Sequence, residues 1–185
     1  ADVAVVQPHR GLVQDVEHAG ELAAHLGGQA HALALAAGED GKLNPEEREI
    51  IAAMAAVTER VRFGTDICLM PFNHPVRLAE DLAVLDNLSG GRVELGLGMG
   101  YAPHEFRGFG VPVSRRVSLM NEGIEILQCC FSGERFSYSG KRYRLEDVVI
   151  TPGYVQEGGP PLWVAAMSEG GALRAARYGT HFLPQ

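Results

Sequence analysis

Three short segments carry residue types whose spacing suits small-molecule chemistry. Gly96-Leu97-Gly98-Met99-Gly100 follows an apolar run and opens a glycine-rich loop. Glycine has no β-carbon, so the backbone there can approach a flat ring or a phosphate and can adopt positive φ. The spacing is not G-x-G-x-x-G and does not match the dinucleotide fingerprint; glycines like these also serve tight turns. Ala166-Met167-Ser168-Glu169-Gly170-Gly171 stands between an apolar run and a helical one. Unpaired N–H groups and the dipole at such a helix start attract anions. A serine that only caps the helix has the same geometry, and both readings stay open. Gly64-Thr65-Asp66-Ile67 sets a carboxylate within an apolar run, where an unpaired charge is costly to bury. Asp66 is therefore either near a ligand at the sheet's mouth or paired with an arginine. His74, His104 and Glu105 are acid–base candidates in nearby loops, or simply solvated. Arg115 and Arg116 either pair with Glu122 and its neighbours or reach an anion.

Alternating strand and helix signals must position these groups. Val3–Val6 reads as a strand, 13–26 as a helix, and Ala32–Ala36 as a strand of alanine-rich, poor composition. Asn44-Pro45-Glu46-Glu47 is a helix start, with a capping side chain, proline in the first turn and acids suited to the dipole. Ile50, Ile51, Met54 and Val57 give that helix one apolar face. Val61–Met70 reads as one strand covered on both faces. A helix from Pro75, with Leu78, Leu82 and Leu85 at helical spacing, ends at Ser89-Gly90-Gly91. Val93–Leu97 is the next strand, followed by a loop over 98–112 and a helix over 114–131 with Val117, Met120, Ile124, Leu127 and Phe131 on one stripe. The alternation over 135–150, broken by Ser139-Gly140, predicts a hairpin. Leu162–Ala166, a helix over 171–178 and His181–Leu183 complete the series. This order predicts βαβ units around a parallel sheet of up to six strands in one domain over 1–185, and ligands of such sheets bind at the carboxyl ends of the strands.

Composition narrows the function classes. The 185-residue chain carries a net charge of −7, which argues against nucleic acid and anionic membrane surfaces. No apolar run approaches the roughly 20 residues that span a bilayer, and the start lacks a secretory signal pattern. Cys68, Cys129 and Cys130 have no C-x-x-C spacing and read as reduced packing residues, which points to the cytoplasm. The stretch AAGEDGKLNPEE imitates a calcium loop, but Ala36 and Gly38 would stand at its first and third ligand positions and supply no side-chain oxygen.

From about Val61 to Leu183 the order of motifs resembles the bacterial-luciferase-like monooxygenase family. The shared pieces are the Gly64-Thr65 strand, H-P-V-R-L-A-E, L-D-N-L-S-G-G-R, G-x-G-x-G followed by E-F and F-G, an arginine ahead of E-x-I-E-I-L, and P-P-L-W-V-A with the serine after it. The resemblance implies a (β/α)8 barrel and a flavin-dependent oxidoreductase, a monooxygenase that uses reduced flavin and oxygen on a small organic substrate. By the same resemblance the ring would lie near Thr65, Asp66, Ile67, Gly98, Met99 and Gly100, and the phosphate near Ser168, Gly170 and Gly171. A strained peptide bond under the ring would join Asp66 to Ile67. FMN is the implied cofactor, with a deazaflavin coenzyme for hydride transfer as the alternative. A flavin reductase or another supply of reduced cofactor and a homo- or hetero-oligomeric state are the implied partners.

Several positions depart from the family pattern. Met99 stands where many members place an arginine for the phosphate, and Ala36 and Ala37 stand where a histidine pair is expected. Likeness over 1–44 is weak. A (β/α)8 barrel takes roughly 250 residues, so this chain reads as a partial barrel lacking the last units: a fragment, a truncated product, or one piece of an assembly. A non-catalytic partner subunit is the second functional reading.

Overall fold

In a computed structural model, residues 3–6, 32–36 and 45–184 are described. Sequence readings at 13–26 and at Asn44, and the calcium-loop imitation, lie outside these residues. The elements are β1 Val3–Val6, β2 Ala32–Ala36, α1 Pro45–Val57, β3 Arg62–Asp66, β4 Cys68–Leu69, α2 Pro75–Ser89, β5 Val93–Gly98, α3 Pro103–Gly108, α4 Arg116–Phe131, β6 Phe136–Ser139, β7 Arg144–Val148, β8 Leu162–Ala166, α5 Glu169–Tyr178 and β9 His181–Pro184. Strand order in the main sheet is β1-β2-β3-β5-β8-β9, with β4 also on β5, and every pairing is parallel. Successive strands are neighbours and helices cover one face. The parallel βαβ order follows the alternation, and the partial (β/α)8 barrel is the fold that the family resemblance implies.

Helix α2 shows how the sequence sets these bounds. Pro75 occupies its first turn, and Leu78, Leu82 and Leu85 are buried. Gly90, at φ 66°, ends it in the left-handed conformation that glycine adopts without penalty. Its neighbour α1 packs on one side and α4 on the other. The core gathers Ile50, Phe63, Leu82, Leu95, Leu97, Met120, Ile124 and Val164.

Five sequence expectations need correction. Val57 is 65% exposed. It is the last residue of α1, almost in line with fully buried Ile50 two turns earlier, so its exposure comes from its place at the helix end. Val117 is 44% exposed in the first turn of α4, where burial has not yet begun, and the helix buries Glu122 and Ile126 beside its apolar stripe. The run 61–70 is not one strand: β3 and β4 are separated at Ile67, and Met70–Phe72 is a 3-10 turn. The loop 98–112 contains α3, started by Pro103 and anchored by buried Phe106. Glu122, read as a partner for Arg115 or Arg116, instead accepts the backbone N–H groups of Lys141 (3.1 Å), Arg142 (2.8 Å) and Tyr143 (3.3 Å).

That carboxylate holds the β6–β7 hairpin turn onto α4. Gly140 makes room for it, since a β-carbon there would meet Glu122 Oε2 at 2.2 Å. Glu125 adds the hydroxyls of Tyr138 (2.6 Å) and Tyr178 (2.8 Å). Glu122→Ala, which strands three N–H groups, should lower stability by about 2 kcal/mol, and thermal denaturation should show a fall of roughly 4–8 °C.

Cys68 and Cys130 are buried and Cys129 is half-buried. Burial, with Cys129 and Glu80 nearby, pushes the Cys130 thiol up to about 12, so it is a packing group and not a thiolate nucleophile. Among the described residues no helix is long and apolar enough to cross a membrane.

Candidate flavin site at the carboxyl rim

The strand end that should bear the chemistry is irregular, and the register shows how. Gly64 pairs with Glu94 and Cys68 with Leu97, so four steps on one strand face three on the other. One residue is extra: the β3–β4 strand is bulged against β5, and bulges re-aim side chains beside functional sites. A cis peptide bond joins Asp66 to Ile67 inside this bulge.

Neighbouring groups are shaped to it. Thr65, almost fully buried, donates its hydroxyl to the Gly96 carbonyl (3.0 Å) and accepts the Gly96 N–H (3.1 Å), bridging where the ladder is broken. A β-carbon on Gly96 would lie 2.2 Å from the Thr65 carbonyl oxygen, and one on Gly98 would lie 2.8 Å from Ile67 Cγ2. The first two loop glycines therefore admit the bulge itself. Gly100, at φ 69°, turns the chain over the Phe106 ring. Met99 is half-buried against the core and brings no cation. Asp66 is half-buried and forms no ion pair among the described residues.

Two strands away, Ser168 precedes α5 with extended backbone (φ −134°, ψ 154°). Its hydroxyl is exposed and makes no capping bond, which separates it from an ordinary helix cap. Its carbonyl accepts the N–H of Gly171 (2.9 Å) and Ala172 (3.1 Å). The N–H groups of Glu169 and Gly170 precede any intrahelical partner and remain available to an anion. A β-carbon on Gly170 meets nothing within 4 Å, whereas one on Gly171 would meet Ala166 Cβ at 2.0 Å. Gly170 thus borders open space, and Gly171 lets the helix close onto the strand.

Leu97 pairs with Val164, so the loops after β5 and β8 leave the sheet side by side, and Cys68 pairs with the same Leu97. Thr65 to Ile67, Gly98 to Gly100 and Ser168 to Gly171 accordingly share one rim. Ala36 ends β2 in register with Asp66; Ala37 lies outside the described residues. His74 and His104 are exposed and Glu105 half-buried, with His74 edge-on to Tyr143 at 5.5 Å between ring centroids. Among the described residues no partner ties these groups into an acid–base pair.

The amino ends of the strands carry a different constellation, unread in the sequence. Arg62 donates through Nε to Glu94 and through Nη2 to Gln156 (3.2 Å), and Trp163 Nε1 donates to Glu94 (2.7 Å). Gln156 continues to Asp86 (2.7 Å). Groups at this end of a barrel serve stability, not catalysis. A cleft of about 290 Å³ also lies here, bordered by Gln128, Phe131, Leu162, Thr180 and His181. It sits at the opposite end of the strands from Ser168, so it is separate from the rim.

The model of the luciferase-like monooxygenase family matches residues 8–185. The chain belongs to that family. Among its curated relatives is an uncharacterized protein of Sinorhizobium fredii, 32% identical over 137 residues, which are 74% of this chain and 39% of that protein. The chain thus spans well under half the length of that relative. Among solved structures, monooxygenase RslO1 from Streptomyces bottropensis superposes with a TM-score of 0.83 at 28% identity, covering 98% of this chain and 59% of that one. An F420-dependent secondary alcohol dehydrogenase in complex with an F420-acetone adduct superposes with a TM-score of 0.82 at 19% identity, covering 98% and 57%. The second likeness is one of fold. Among the described residues, the rim combines free backbone donors, open space at Gly170 and a bulged strand.

Proposed function

We propose that the rim binds FMN and that the protein is a flavin-dependent monooxygenase, which works in the cytoplasm on a small organic substrate with reduced flavin from a reductase, as part of a homo- or hetero-oligomer. The observation that carries the reading is the uncapped start of α5, with a free serine hydroxyl and two free N–H groups on the same rim as the bulge. The phosphate would be held by Ser168 Oγ and the N–H groups of Glu169 and Gly170, aided by the helix dipole. Ile67 and Gly98, packed on each other, form the nearby apolar wall against which a flat ring can rest. When bound, reduced flavin supplies the electrons with which oxygen is activated. The chain's own part is to bind, orient and keep water from that group. The deazaflavin coenzyme is the alternative, motivated by the F420-dependent alcohol dehydrogenase that shares this fold.

Titration of the purified protein with FMN, read by flavin fluorescence, tests the reading; absence of binding overturns it, and a parallel titration with the deazaflavin decides between cofactors. Ser168→Ala should weaken FMN binding about tenfold, since a hydrogen bond to a charged group is worth ~1.5 kcal/mol or more. Unchanged affinity would remove Ser168 from the phosphate site.

A second reading, a partner subunit that keeps the scaffold without turnover, is favoured by Ala36 beside Asp66, where the family pattern has a histidine. FMN binding without oxygen consumption in the presence of reductase would select it.

A further inference from the structure

The cleft of about 290 Å³ at the amino ends of the strands is enclosed by three separate pieces of chain. Gln128 and Phe131 come from the last turn of α4, Gly158 to Pro161 from the loop before β8, and Gly179 and Thr180 from the end of α5. Its volume is that of about ten waters at liquid density. The walls are fixed without a ligand. Gln128 Nε2 donates to the Tyr178 carbonyl (2.7 Å) and ties the two helix ends together. Phe131 lies edge-on to Tyr154 (5.0 Å between centroids), whose hydroxyl donates to the Ala79 carbonyl (2.7 Å). Gly158 and Gly159 take positive φ (76° and 79°), and a β-carbon on Gly159 would meet Phe131 Cγ at 2.3 Å. Glycine there lets the loop lie against the ring.

The polarity of this border is one-sided. Pro160 and Pro161 have no N–H. The N–H groups of Gly159, Gly179 and Thr180 are already donated to the carbonyls of Gln156 (2.9 Å), Ala176 (3.3 Å) and Ala175 (3.0 Å). The carbonyls of Gly158, Gly159 and Pro160 accept no hydrogen bond from the described residues. Gln128, with Nε2 engaged, keeps Oε1 as an acceptor. Helices α4 and α5 both end here, and a helix C-terminus carries about half a negative charge. No lysine, arginine, aspartate or glutamate borders the cleft. Arg177, two residues before Gly179, lies over the Tyr178 ring (5.3 Å), and the bordering His181 stacks on Trp163 (4.4 Å). Acceptors and negative potential thus converge on one space, beside the buried Phe131, Pro160 and Leu162.

We propose that this cleft binds a small primary ammonium compound with a short apolar tail. The ammonium donates to the carbonyl acceptors at the two helix ends, and the tail covers Phe131, Pro160 and Leu162. The site lies at the opposite end of the strands from Ser168 and does not rest on the flavin reading. Calorimetric titration tests it with hexylammonium, protonated at neutral pH as lysine is, against hexanol and hexanoate, which differ from it in the head group. Hexylammonium should bind at least about tenfold more tightly than hexanol, because its hydrogen bonds are charge-assisted, and hexanoate should give no saturable heat. Gln128→Lys brings a competing ammonium to the cleft. Lysine suits the last turn of a helix, so this variant should melt with the parent and bind hexylammonium at least about tenfold more weakly. Ser168→Ala should leave hexylammonium affinity within a factor of about two. No saturable hexylammonium binding, hexanol or hexanoate binding as tightly, full affinity in Gln128→Lys, or loss of affinity in Ser168→Ala would each overturn the proposal. The head-group series on the parent protein decides the matter even where the lysine variant fails to fold. Hexylammonium binding without FMN binding would leave this site standing and sink the flavin reading alone; FMN binding without hexylammonium binding would do the reverse.

Discussion

Asp86→Ala should cost about 3–5 kcal/mol of stability, the range for removing one partner from a buried charged network. The carboxylate is fully buried on the core side of α2. It accepts the N–H groups of Val155 (2.7 Å) and Gln156 (3.0 Å) and the Gln156 side-chain amide (2.7 Å). Truncation would leave all three donors without this buried acceptor, and each group left unsatisfied costs about 1–3 kcal/mol. The damage would spread, because Gln156 also donates to the Val93 carbonyl (2.8 Å) and accepts from Arg62, which engages Glu94. Asp86 is therefore the link between a helix, the turn before β8 and the amino ends of β3 and β5. Chemical denaturation should show the loss as a lower midpoint with unchanged slope. Asp86→Asn keeps the volume but turns an amide N–H toward donors, so it should recover less than half of the loss. If the alanine variant melts within 2 °C of the parent, roughly 1 kcal/mol, the link is not structural.

How far the sequence could be read follows the range of the interactions. Helix α2 was legible because proline at its start, leucines at helical spacing and glycine past its end all act within one or two turns. The parallel strands and the hairpin were legible for the same reason, as apolar runs and an alternation around Ser139-Gly140. The bulge was not. It exists only as a mismatch between β3–β4 and β5, and no local pattern in 61–70 records how many residues lie opposite. Glu122 was misassigned because helical spacing offers arginines close by, whereas its partners lie at 141–143 on the hairpin. Asp86 did leave a signal, since it continues the stripe of Leu78, Leu82 and Leu85 where only apolar residues belong. The rim was found through its glycines, yet for a partly different reason: Gly96 and Gly171 are small because other parts of the chain occupy the space, while Gly170 alone borders an opening.

Gly96→Ala should be among the most damaging single-methyl additions at the described glycines, at about 3 kcal/mol, the upper end of the overpacking range. The added β-carbon would sit 2.2 Å from the Thr65 carbonyl oxygen, a backbone atom that cannot swing aside as a side chain end can. Relief would require β3 and β5 to part at the point where the Thr65 hydroxyl holds both the Gly96 N–H and carbonyl. Those two bonds, already substituting for a broken ladder, would be lost with the shift. The bulge that sets Ile67 over Gly98 would move with them, so the variant should also bind FMN at least tenfold more weakly than the parent if the rim holds the flavin. Gly108→Ala is the matched control: it lies at the end of α3, with nothing within 4 Å of the new carbon, and should leave stability within about 0.5 kcal/mol. Thermal melts and FMN titrations on the two variants separate the effects. Equal stabilities would mean that the strands part freely at Thr65, whereas a destabilised Gly96→Ala with undiminished FMN affinity would mean that the flavin does not depend on the bulge.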